Sequence, residues 1–394
     1  MVQAHNLILQ TAFVGDLFLA LPLIRECKAL DPETPLVVMC RKGLGEVLRS
    51  YDLADHVVEV DKASSSSRKQ AMAELKKLKF RHILCPHNSV RSGILVGGLK
   101  AEGQKLGYHQ WWNRPFFTRR ILRPMHWPEA LRQLFLLTAL SQDWVERFAT
   151  LEKESPLLRN PQDQQRPEAQ GDQVLFSQVP LPPWARGDLG VLKWPLKKER
   201  IEELGLEGER GASAGPSRQR IFVAPGSVWA TKRWTTAGFA ELVKQLAEQD
   251  FEVILVGSAL ERELCDEVLR LSEVQAANWA GKTSLVELLE LFRQGELLIS
   301  NDSGAQHMAA AVGLPVVSIF GPTTLGLGYR PWTERAVVLQ EPLSCRPCGA
   351  HGGQRCPLGT HQCMKAISVQ RVRAAVGEIL SPTQRGSNPP LQDL

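Results

Sequence analysis

Short apolar runs alternate with helix-like segments in the first half of this chain, and this alternation constrains the fold more than any other feature. The apolar runs and helical patterns follow one another at residues 7–9, 16–30, 36–40, 45–51, 57–60, 68–79 and 82–85. Parallel strands need crossover connections, which are usually helices. The alternation therefore predicts a doubly wound α/β sheet built from parallel strands.

The same alternation of apolar runs and helical patterns starts again in the second half of the chain. Its apolar runs and helical patterns lie at residues 221–224, 236–249, 252–256, 260–271, 284–293, 297–300, 303–312 and 315–320. Residues 211–217 are rich in Gly, Ser and Pro, which is typical of a linker. A chain of 394 residues suits two domains. We predict two Rossmann-like domains, residues 1–218 and 219–380, which face each other across a cleft, and a disordered tail at residues 381–394.

Composition and charge exclude several classes of function. No apolar stretch approaches the roughly 20 residues that a membrane-spanning helix needs. The N-terminus carries no Lys or Arg before its first apolar run, so it does not resemble a secretory signal, and a cytoplasmic location is expected. A net charge of +5 is too weak to indicate nucleic-acid binding. Residues 103–128 nevertheless combine several Lys and Arg side chains with aromatic rings and contain no carboxylate.

Doubly wound sheets bind ligands at the carboxyl ends of their strands, so motifs that directly follow strands are the first candidates for a site. The segment Thr11-Ala12-Phe13-Val14-Gly15-Asp16-Leu17 follows the first predicted strand. Asp16 stands at the start of a helix, where a carboxylate commonly caps the free N–H groups. The functional alternative is a general base at the floor of the cleft, which takes a proton from a hydroxyl group.

A second motif follows the strand at residues 221–224. Its Gly226-Ser227 turn offers backbone donors, and Lys232 with Arg233 adds two positive charges. This combination is typical of sites that hold diphosphates. A solvated basic loop is the alternative, although Trp229 and Trp234 argue against full solvation.

The most informative motif is Asn301-Asp302-Ser303-Gly304-Ala305-Gln306-His307, which runs from a strand into a helix. The free N–H groups and the positive dipole end of that helix are suited to an anion. A simple cap and turn is the alternative. The polar segment Gly321-Pro322-Thr323-Thr324 follows the next strand at the same sheet edge, which favours a ligand site.

Taken together, these segments resemble the heptosyltransferase family of bacterial lipopolysaccharide core synthesis, which is glycosyltransferase family 9. The likeness extends from about residue 6 to residue 367. The motifs that carry it are Gly15-Asp16, Leu21-Pro22-Leu23, Leu106-Gly107-Tyr108, Lys232-Arg233-Trp234, Asp302-Ser303-Gly304 with His307, and Phe320-Gly321-Pro322-Thr323. The resemblance implies the GT-B fold, and the "heptosyltransferase II" branch is the nearest match.

The resemblance also implies roles for individual residues. Asp16 matches the catalytic base of the family. The positions that match its donor site are Ser227, Lys232, Glu261, Asp302, Ser303, Gly304 and His307. Among these, Lys232 is expected on the phosphates, and Glu261 is expected near the ribose. Ser303 stands where some relatives have Thr, and this change keeps the hydroxyl group.

The implied reaction transfers heptose from ADP-heptose to a heptosyl-Kdo2-lipid A type acceptor, with inversion at the anomeric carbon. The chain contains no Asp-x-Asp pair of the kind that holds a metal in other glycosyltransferases, so we expect no metal and no cofactor. Arg114, Arg119 and Arg120 are expected to bind the acceptor, although the aromatic residues beside them could instead be ordinary core. The protein is expected to act as a monomer at the cytoplasmic face of the inner membrane.

Two other classes of function stay open at this point. One is a binding protein of the same fold that recognises lipopolysaccharide or a nucleotide without transfer. The other is a related sugar-nucleotide enzyme such as an epimerase. The cysteines add a further alternative, because Cys345, Cys348, Cys356 and Cys363 have the number and pairing of a structural zinc or iron–sulfur site. Reduced thiols are the alternative that we prefer.

Overall fold

A computed structural model describes residues 3–155, 173–176, 181–193, 196–204 and 219–381. The described residues form two compact units, which we call the first unit and the second unit. The first unit lies within Met1–Asn160 and Leu181–Pro195, and the second lies within Pro161–Pro180 and Leu196–Leu394. Each unit contains a mainly parallel sheet with helical crossovers, which confirms the predicted α/β class.

The sheet of the first unit has six parallel strands in the order β3-β2-β1-β4-β5-β6. The strands are β1 (Ala4–Gln10), β2 (Leu36–Arg41), β3 (His56–Val60), β4 (Lys79–Cys85), β5 (Lys105–Tyr108) and β6 (Arg119–Ile121). Leu7, Ile8 and Leu9 are fully buried, as expected for a strand with elements on both faces. The strand order reverses between β1 and β4, and such a switch point opens a crevice at the carboxyl ends of the strands.

The helices of the first unit are α1 (Val14–Leu19), α2 (Leu21–Leu30), α3 (Gly45–Ser50), α4 (Ser65–Leu75), α5 (Val90–Gly97), α6 (Glu129–Leu134) and α7 (Gln142–Glu154). Ser64 and Ser89 cap α4 and α5 through their side chains. The prediction of one helix at residues 16–30 was wrong, because the chain breaks at Ala20 into α1 and α2. Pro22 lies in the first turn of α2 and lacks the N–H that a continuous helix needs there.

The sheet of the second unit has seven strands in the order β10-β9-β8-β11-β12-β13-β7. They are β7 (Gln173–Leu175), β8 (Arg220–Ala224), β9 (Glu252–Leu255), β10 (Ala277–Asn278), β11 (Leu297–Asn301), β12 (Val316–Phe320) and β13 (Ala336–Gln340). All neighbours are parallel except β7, which pairs antiparallel with β13 at the edge. The order reverses between β8 and β11, so the loops after these two strands lie at the second switch point.

The helices of the second unit are α8 (Lys198–Leu204), α9 (Thr236–Glu248), α10 (Arg262–Ser272), α11 (Leu285–Arg293), α12 (Gly304–Ala311), α13 (Gln362–Lys365) and α14 (Val369–Leu380). Short 3₁₀ turns occur at Ala230–Lys232, Ala259–Glu261 and Leu325–Leu327. The small side chains of Ala309, Ala310 and Ala311 are buried, which lets α12 approach the sheet closely. No helix in the described ranges is long and apolar enough to cross a membrane.

The division into units differs from the predicted boundary at residue 219. Strand β7 and helix α8 belong to the second unit. Leu175 and Val174 of β7 pair with β13, and Arg200 of α8 forms an ion pair with Glu287 of α11, so both elements are tied to the second sheet and its helices. The predicted linker at residues 211–217 and the tail from residue 382 onward lie outside the described residues.

Candidate functional site

Asp16 lies in the first turn of α1, directly after the central strand β1. Its Oδ2 accepts a hydrogen bond of 3.1 Å from the backbone N–H of Phe13, so the capping interpretation is confirmed. Burial, followed by the charge of Glu129, raises the pKa of Asp16 to about 6, although the Phe13 N–H, Arg123 and Lys62 oppose the shift. Such a carboxylate is mostly ionised at neutral pH and is still a better base than an ordinary aspartate.

Two further titratable groups follow neighbouring strands of the first unit. Lys62 comes after β3, and burial lowers its pKa, with Arg41 and Arg91 adding to the effect and Asp16 opposing it. His87 comes after β4, and its Nδ1 lies 2.9 Å from Ser92 Oγ. Burial, with smaller contributions from Lys62 and Arg123, lowers the pKa of His87 to about 4, so this imidazole is neutral at physiological pH.

A pocket of about 590 Å³ opens beside these residues in the first unit. Four cationic side chains line it, and none of the described residues in its wall is a carboxylate; the cations are Lys62, Arg68, Lys69 and Arg91. Thr11 and Ser92 add hydroxyl groups to the wall. The composition of this wall suits a ligand that carries phosphates or carboxylates.

The sequence prediction of the acceptor site did not include this pocket. A signal was present, because Lys62 and His87 follow β3 and β4 closely, and the carboxyl ends of parallel strands meet at one sheet edge. The prediction instead followed the density of Arg and aromatic residues at residues 103–128.

Arg114, Arg119 and Arg120 do not line the pocket. Arg119 Nη1 donates to the carbonyl of Ala139 at 2.6 Å, and Arg120 Nη1 donates to the carbonyl of Gln110 at 3.4 Å. The two residues are adjacent on β6, so their side chains leave the strand on opposite faces. Arg119 and Arg120 therefore lie on opposite faces of β6, and acceptor binding by the three arginines stays a prediction.

The aromatic residues near these arginines are mostly core. Tyr108, Phe117 and Trp127 are buried. A Cβ at Gly97 would lie 2.6 Å from Phe116, and one at Gly107 would lie 2.6 Å from Phe117, so these rings pack directly against glycines of α5 and β5. Trp111, at 88% exposure, is the clear exception. Most of the aromatic side chains at residues 103–128 are therefore ordinary core residues.

Lys232 and Asp302 form a buried ion pair in the second unit, with Lys232 Nζ 2.5 Å from Asp302 Oδ2. Lys232 ends the 3₁₀ turn after β8, and Asp302 follows β11, so the pair joins the two loops at the switch point. Thr323 Oγ1 also donates to Asp302 Oδ2 at 2.6 Å, and Gln306 Nε2 donates to Asp302 Oδ1 at 3.0 Å. Both oxygens of Asp302 are thus occupied by side chains of the chain itself.

Asn301 holds the same two loops together through its amide. Its Oδ1 accepts from the Trp234 N–H at 2.9 Å, and its Nδ2 donates to the Pro225 carbonyl at 2.8 Å. Ser227 is buried in this loop, and its carbonyl accepts from Arg233 Nε at 2.9 Å. The loop that carries Lys232 is therefore fixed at both ends before any ligand is considered.

Ser303, Gly304 and His307 lie in the first turn of α12 or just before it. Ser303 is the N-cap residue, and its side chain makes no capping hydrogen bond. His307 is buried, and burial lowers its pKa to about 4, with Asp302 opposing the shift and Lys232 adding to it. The N-terminus of α12 and the Lys232 loop thus lie at one sheet edge, as the sequence predicts, and offer donors to an anion.

Glu261 closes the 3₁₀ turn after β9 and accepts at Oε2 from both the N–H and the hydroxyl of Ser258, each at 2.8 Å. A Cβ built on Gly226 would lie 2.0 Å from Glu261 Oε1. The structure therefore places the carboxylate against the glycine of the Lys232 loop. This position is compatible with the predicted contact to a ribose, which stays a prediction.

The cysteine-rich segment at residues 345–363 contacts the same loops. Thr231 and Gly353 exchange hydrogen bonds, and His361 Nε2 lies 2.8 Å from the carbonyl of Thr231. All eight cysteines are free. Within the described part of the chain, no group of three or more His, Cys, Asp or Glu side chains is arranged to hold a metal ion.

Comparison with known proteins identifies the family to which the chain belongs. Lipopolysaccharide heptosyltransferase 2 of Salmonella typhimurium is 25% identical over 392 residues, which cover 95% of this chain and 98% of that protein. Lipooligosaccharide heptosyltransferase 2 of Campylobacter jejuni is 30% identical over 164 residues. That alignment covers 40% of this chain and spans about half (50%) of the relative's length.

Solved structures show the same fold. The ADP-heptose lipopolysaccharide heptosyltransferase II of E. coli aligns with a TM-score of 0.65 and 21% identity, over 95% of this chain and 98% of that one. A family 9 glycosyl transferase of Veillonella parvula aligns with a TM-score of 0.70 and 18% identity, over 96% and 98%. The family model described as Glycosyltransferase family 9 (heptosyltransferase) matches residues 68–355. The chain therefore belongs to glycosyltransferase family 9, and the family predicted from its motifs is confirmed.

Proposed function

We propose that this protein transfers heptose from ADP-heptose to the inner core of lipopolysaccharide, on an acceptor of the heptosyl-Kdo2-lipid A type. Membership of family 9 and the activities for which the relatives aligned over their whole length are named support the donor and the acceptor class. The observation that carries the proposal is the buried Lys232–Asp302 pair beside the N-terminus of α12, because a fixed cation next to free N–H groups is a combination that suits a diphosphate.

On this proposal the second unit binds the donor. Lys232 and the first turn of α12 balance the charge that develops on the departing ADP. Asp302 orients Lys232, because both of its oxygens are occupied by protein side chains. The remaining donor-site residues are Ser227, Glu261, Ser303, Gly304 and His307.

Asp16 of the first unit acts as the general base. The carboxylate removes the proton of the acceptor hydroxyl as that oxygen attacks the anomeric carbon, and the bond to the ADP oxygen breaks. Attack from the face opposite the leaving group inverts the anomeric centre. Since burial raises the pKa of Asp16 to about 6, we expect kcat/KM to rise with pH, to reach half its maximum near pH 6 and to level off above that value.

The acceptor binds the pocket of the first unit. The acceptors of these relatives are lipopolysaccharides, and anionic groups on such a molecule suit the four cations of the wall. We propose this pocket in place of Arg114, Arg119 and Arg120, because Lys62 of its wall is close enough to Asp16 to lower the pKa of that carboxyl, and Arg119 and Arg120 are bound to backbone carbonyls.

The transfer proceeds without a metal, at the cytoplasmic face of the inner membrane and as a monomer. Lys232 and the start of α12 supply the positive charge that a divalent cation supplies in other glycosyltransferases. Full turnover in the presence of a chelator is the expected result. Loss of turnover that added Mg²⁺ restores would contradict this part of the proposal.

The direct test is incubation with ADP-heptose and a heptose-deficient core acceptor. Release of ADP only when the acceptor is present, together with a new heptose on the acceptor, is the expected result. Binding of both compounds without release would instead indicate a non-catalytic binding protein. Release of a modified sugar without any acceptor would indicate an enzyme that acts on the sugar nucleotide alone.

A further inference from the structure

Gln306 lies in the first turn of α12 with a fully buried side chain. Its Oε1 accepts a hydrogen bond from the hydroxyl of Ser318 on β12. Its Nε2 lies 3.0 Å from Asp302 Oδ1 and 3.3 Å from the carbonyl oxygen of Tyr329. One amide thus connects the helix, the neighbouring strand, the loop after it and the carboxylate that binds Lys232.

These neighbours determine which way the amide points. The Asp302 carboxylate and the Tyr329 carbonyl can only accept hydrogen bonds, so they require the nitrogen of Gln306. A flipped amide would direct Oε1 at both of these oxygens inside the protein, where repulsion between acceptors is costly. The Ser318 hydroxyl can donate to Oε1, which agrees with the same orientation.

The orientation of Gln306 determines which ring nitrogen of its neighbour His307 carries the proton. Nε2 of His307 lies 3.3 Å from Nε2 of Gln306. One N–H of the amide serves Asp302, and the other is shared between the Tyr329 carbonyl and this histidine nitrogen, both at 3.3 Å. An amide nitrogen cannot accept, so a proton on Nε2 of His307 would face a second donor, and Nε2 must carry a lone pair instead. Burial lowers the pKa of His307 to about 4, and the charged groups that act on the ring are Asp302 after β11 and Lys232 after β8. A neutral ring has one N–H, which must then lie on Nδ1.

The Nδ1 atom of His307 is buried and has no hydrogen-bond partner among the described residues. A buried N–H group without an acceptor destabilises a protein, so native structures rarely leave one unpaired. The unpaired Nδ1–H of His307 belongs to the same helix start as Ser303 and Gly304. The Lys232 ammonium is bound to Asp302, which also accepts from Gln306. Donors and a cation in one place select an oxyanion as the missing acceptor.

We propose that Gln306 is a positioning residue that fixes His307 as the neutral Nδ1–H tautomer, so that His307 donates a hydrogen bond to a diphosphate oxygen of the donor nucleotide. This inference rests on the proposed function, because it uses the same donor site. It assigns His307 the role of a neutral donor rather than that of a cation or a base. It also adds Gln306 to the donor site as a residue that acts through His307 and Asp302.

The first test reads the tautomer directly in the unmodified protein by ¹⁵N NMR of the histidine rings, with a His307→Gln variant to assign the signals. We expect the His307 ring to be neutral from pH 5 to pH 8, protonated on Nδ1, and shifted at Nδ1 when ADP is added. A proton on Nε2, or titration with a midpoint near an ordinary histidine value of about 6.5, would overturn the inference.

The second test changes the amide. Gln306→Glu places a carboxylate against Nε2 of His307, so it draws the proton to Nε2 and raises the pKa of the ring. We expect the dissociation constant for ADP to rise about tenfold at neutral pH, as for the loss of one hydrogen bond to a charged group, and to become pH-dependent. Gln249→Glu is the matched control, since Gln249 is exposed at the end of α9, and it should bind ADP like the wild type.

Gln306→Met separates positioning from a merely structural role, because it keeps the volume and removes both hydrogen-bonding groups. We expect a mixture of the two His307 tautomers and weaker ADP binding. A variant that is less stable but keeps the Nδ1–H signal and the wild-type affinity would show a structural role and would overturn the inference.

The two proposals fail in different ways. If wild-type protein binds ADP and carries the proton on Nε2, the tautomer inference is wrong and the proposed donor site stands. If the Nδ1–H signal is present but ADP neither binds nor shifts it, the proposed donor is wrong and so is the role of His307 in holding it.

Discussion

The charged side chains near the switch points of the two units are arranged in opposite ways. In the second unit, the cation Lys232 is buried and matched by Asp302, whose oxygens are all bound by protein donors. In the first unit, four cations line an open pocket, and no carboxylate is among the described residues of its wall. A site whose cation is already matched and held in place by protein hydrogen bonds is suited to one rigid ligand group, such as a diphosphate. A site with unmatched cations relies on the charge of its ligand.

The largest expected effect comes from Asp16→Asn. Removal of the base should lower kcat by about 10²- to 10⁴-fold, while ADP binds as before because the donor groups lie in the second unit. Asn can still accept the hydrogen bond from the Phe13 N–H, so the start of α1 is kept. Steady-state kinetics and ADP titration measure the two quantities, with the exposed Asp143→Asn as control. Loss of ADP binding would place Asp16 in a different role.

Lys232→Met should have the next largest effect, and it probes the buried pair directly. Removal of the cation leaves Asp302 buried without its countercharge, which should lower the free energy of unfolding by about 3–5 kcal/mol. Lys69→Met, on the exposed wall of the basic pocket, should change it by no more than about 0.5 kcal/mol. Denaturant unfolding compares the two, and equal losses would show that the units do not differ as described.

Arg91→Gln tests the basic pocket of the first unit. If the pocket of the first unit binds anionic acceptor groups, the acceptor KM should rise about tenfold and the donor KM should stay constant. Added salt should weaken acceptor binding in the wild type for the same reason. Arg114→Gln is the matched comparison, because it removes an exposed arginine that does not line the pocket. The reverse result would restore the acceptor site predicted from the sequence.

The smallest effect concerns stability and pH. Since the pKa of Asp16 is raised in the folded protein, ionisation of this carboxyl favours the unfolded chain, and the loss of stability develops as pH rises from about 4 through 6. Asp16→Asn should therefore raise the melting temperature by a few degrees at pH 8 and leave it unchanged at pH 4. Calorimetry at both values measures this. An equal change at the two values would contradict the raised pKa.

Periodicity predicted the central strands and helices of both units, because parallel strands that are buried on both faces form continuous apolar runs. It missed β5, β6, β7 and β10, which have two to four residues, and also β13, which has five; all five strands lie away from the centre of each sheet. It also joined α1 and α2, since Pro22 fits the first turn of a helix and the break at Ala20 leaves the apolar pattern intact.

The residues that we propose for the donor site could be selected from the sequence because they are adjacent to strand ends. The basic pocket was not, because Lys62, Arg68 and Arg91 follow different strands and come together only through the order of strands in the sheet. The role of Gln306 could not be predicted either. It depends on which atom of Ser318, Tyr329 and Asp302 faces each end of one amide, and spacing along the chain carries no such information.

The close approach of Gly226 to Glu261 limits how this enzyme could be redesigned. Any side chain at residue 226 would displace the Glu261 carboxylate. This displacement would also break the hydrogen bond that Glu261 accepts from the N–H of Ser258. A library aimed at a different nucleotide sugar should therefore leave residue 226 as glycine. Val228, two residues further along the same loop, is 63% exposed and is free to vary.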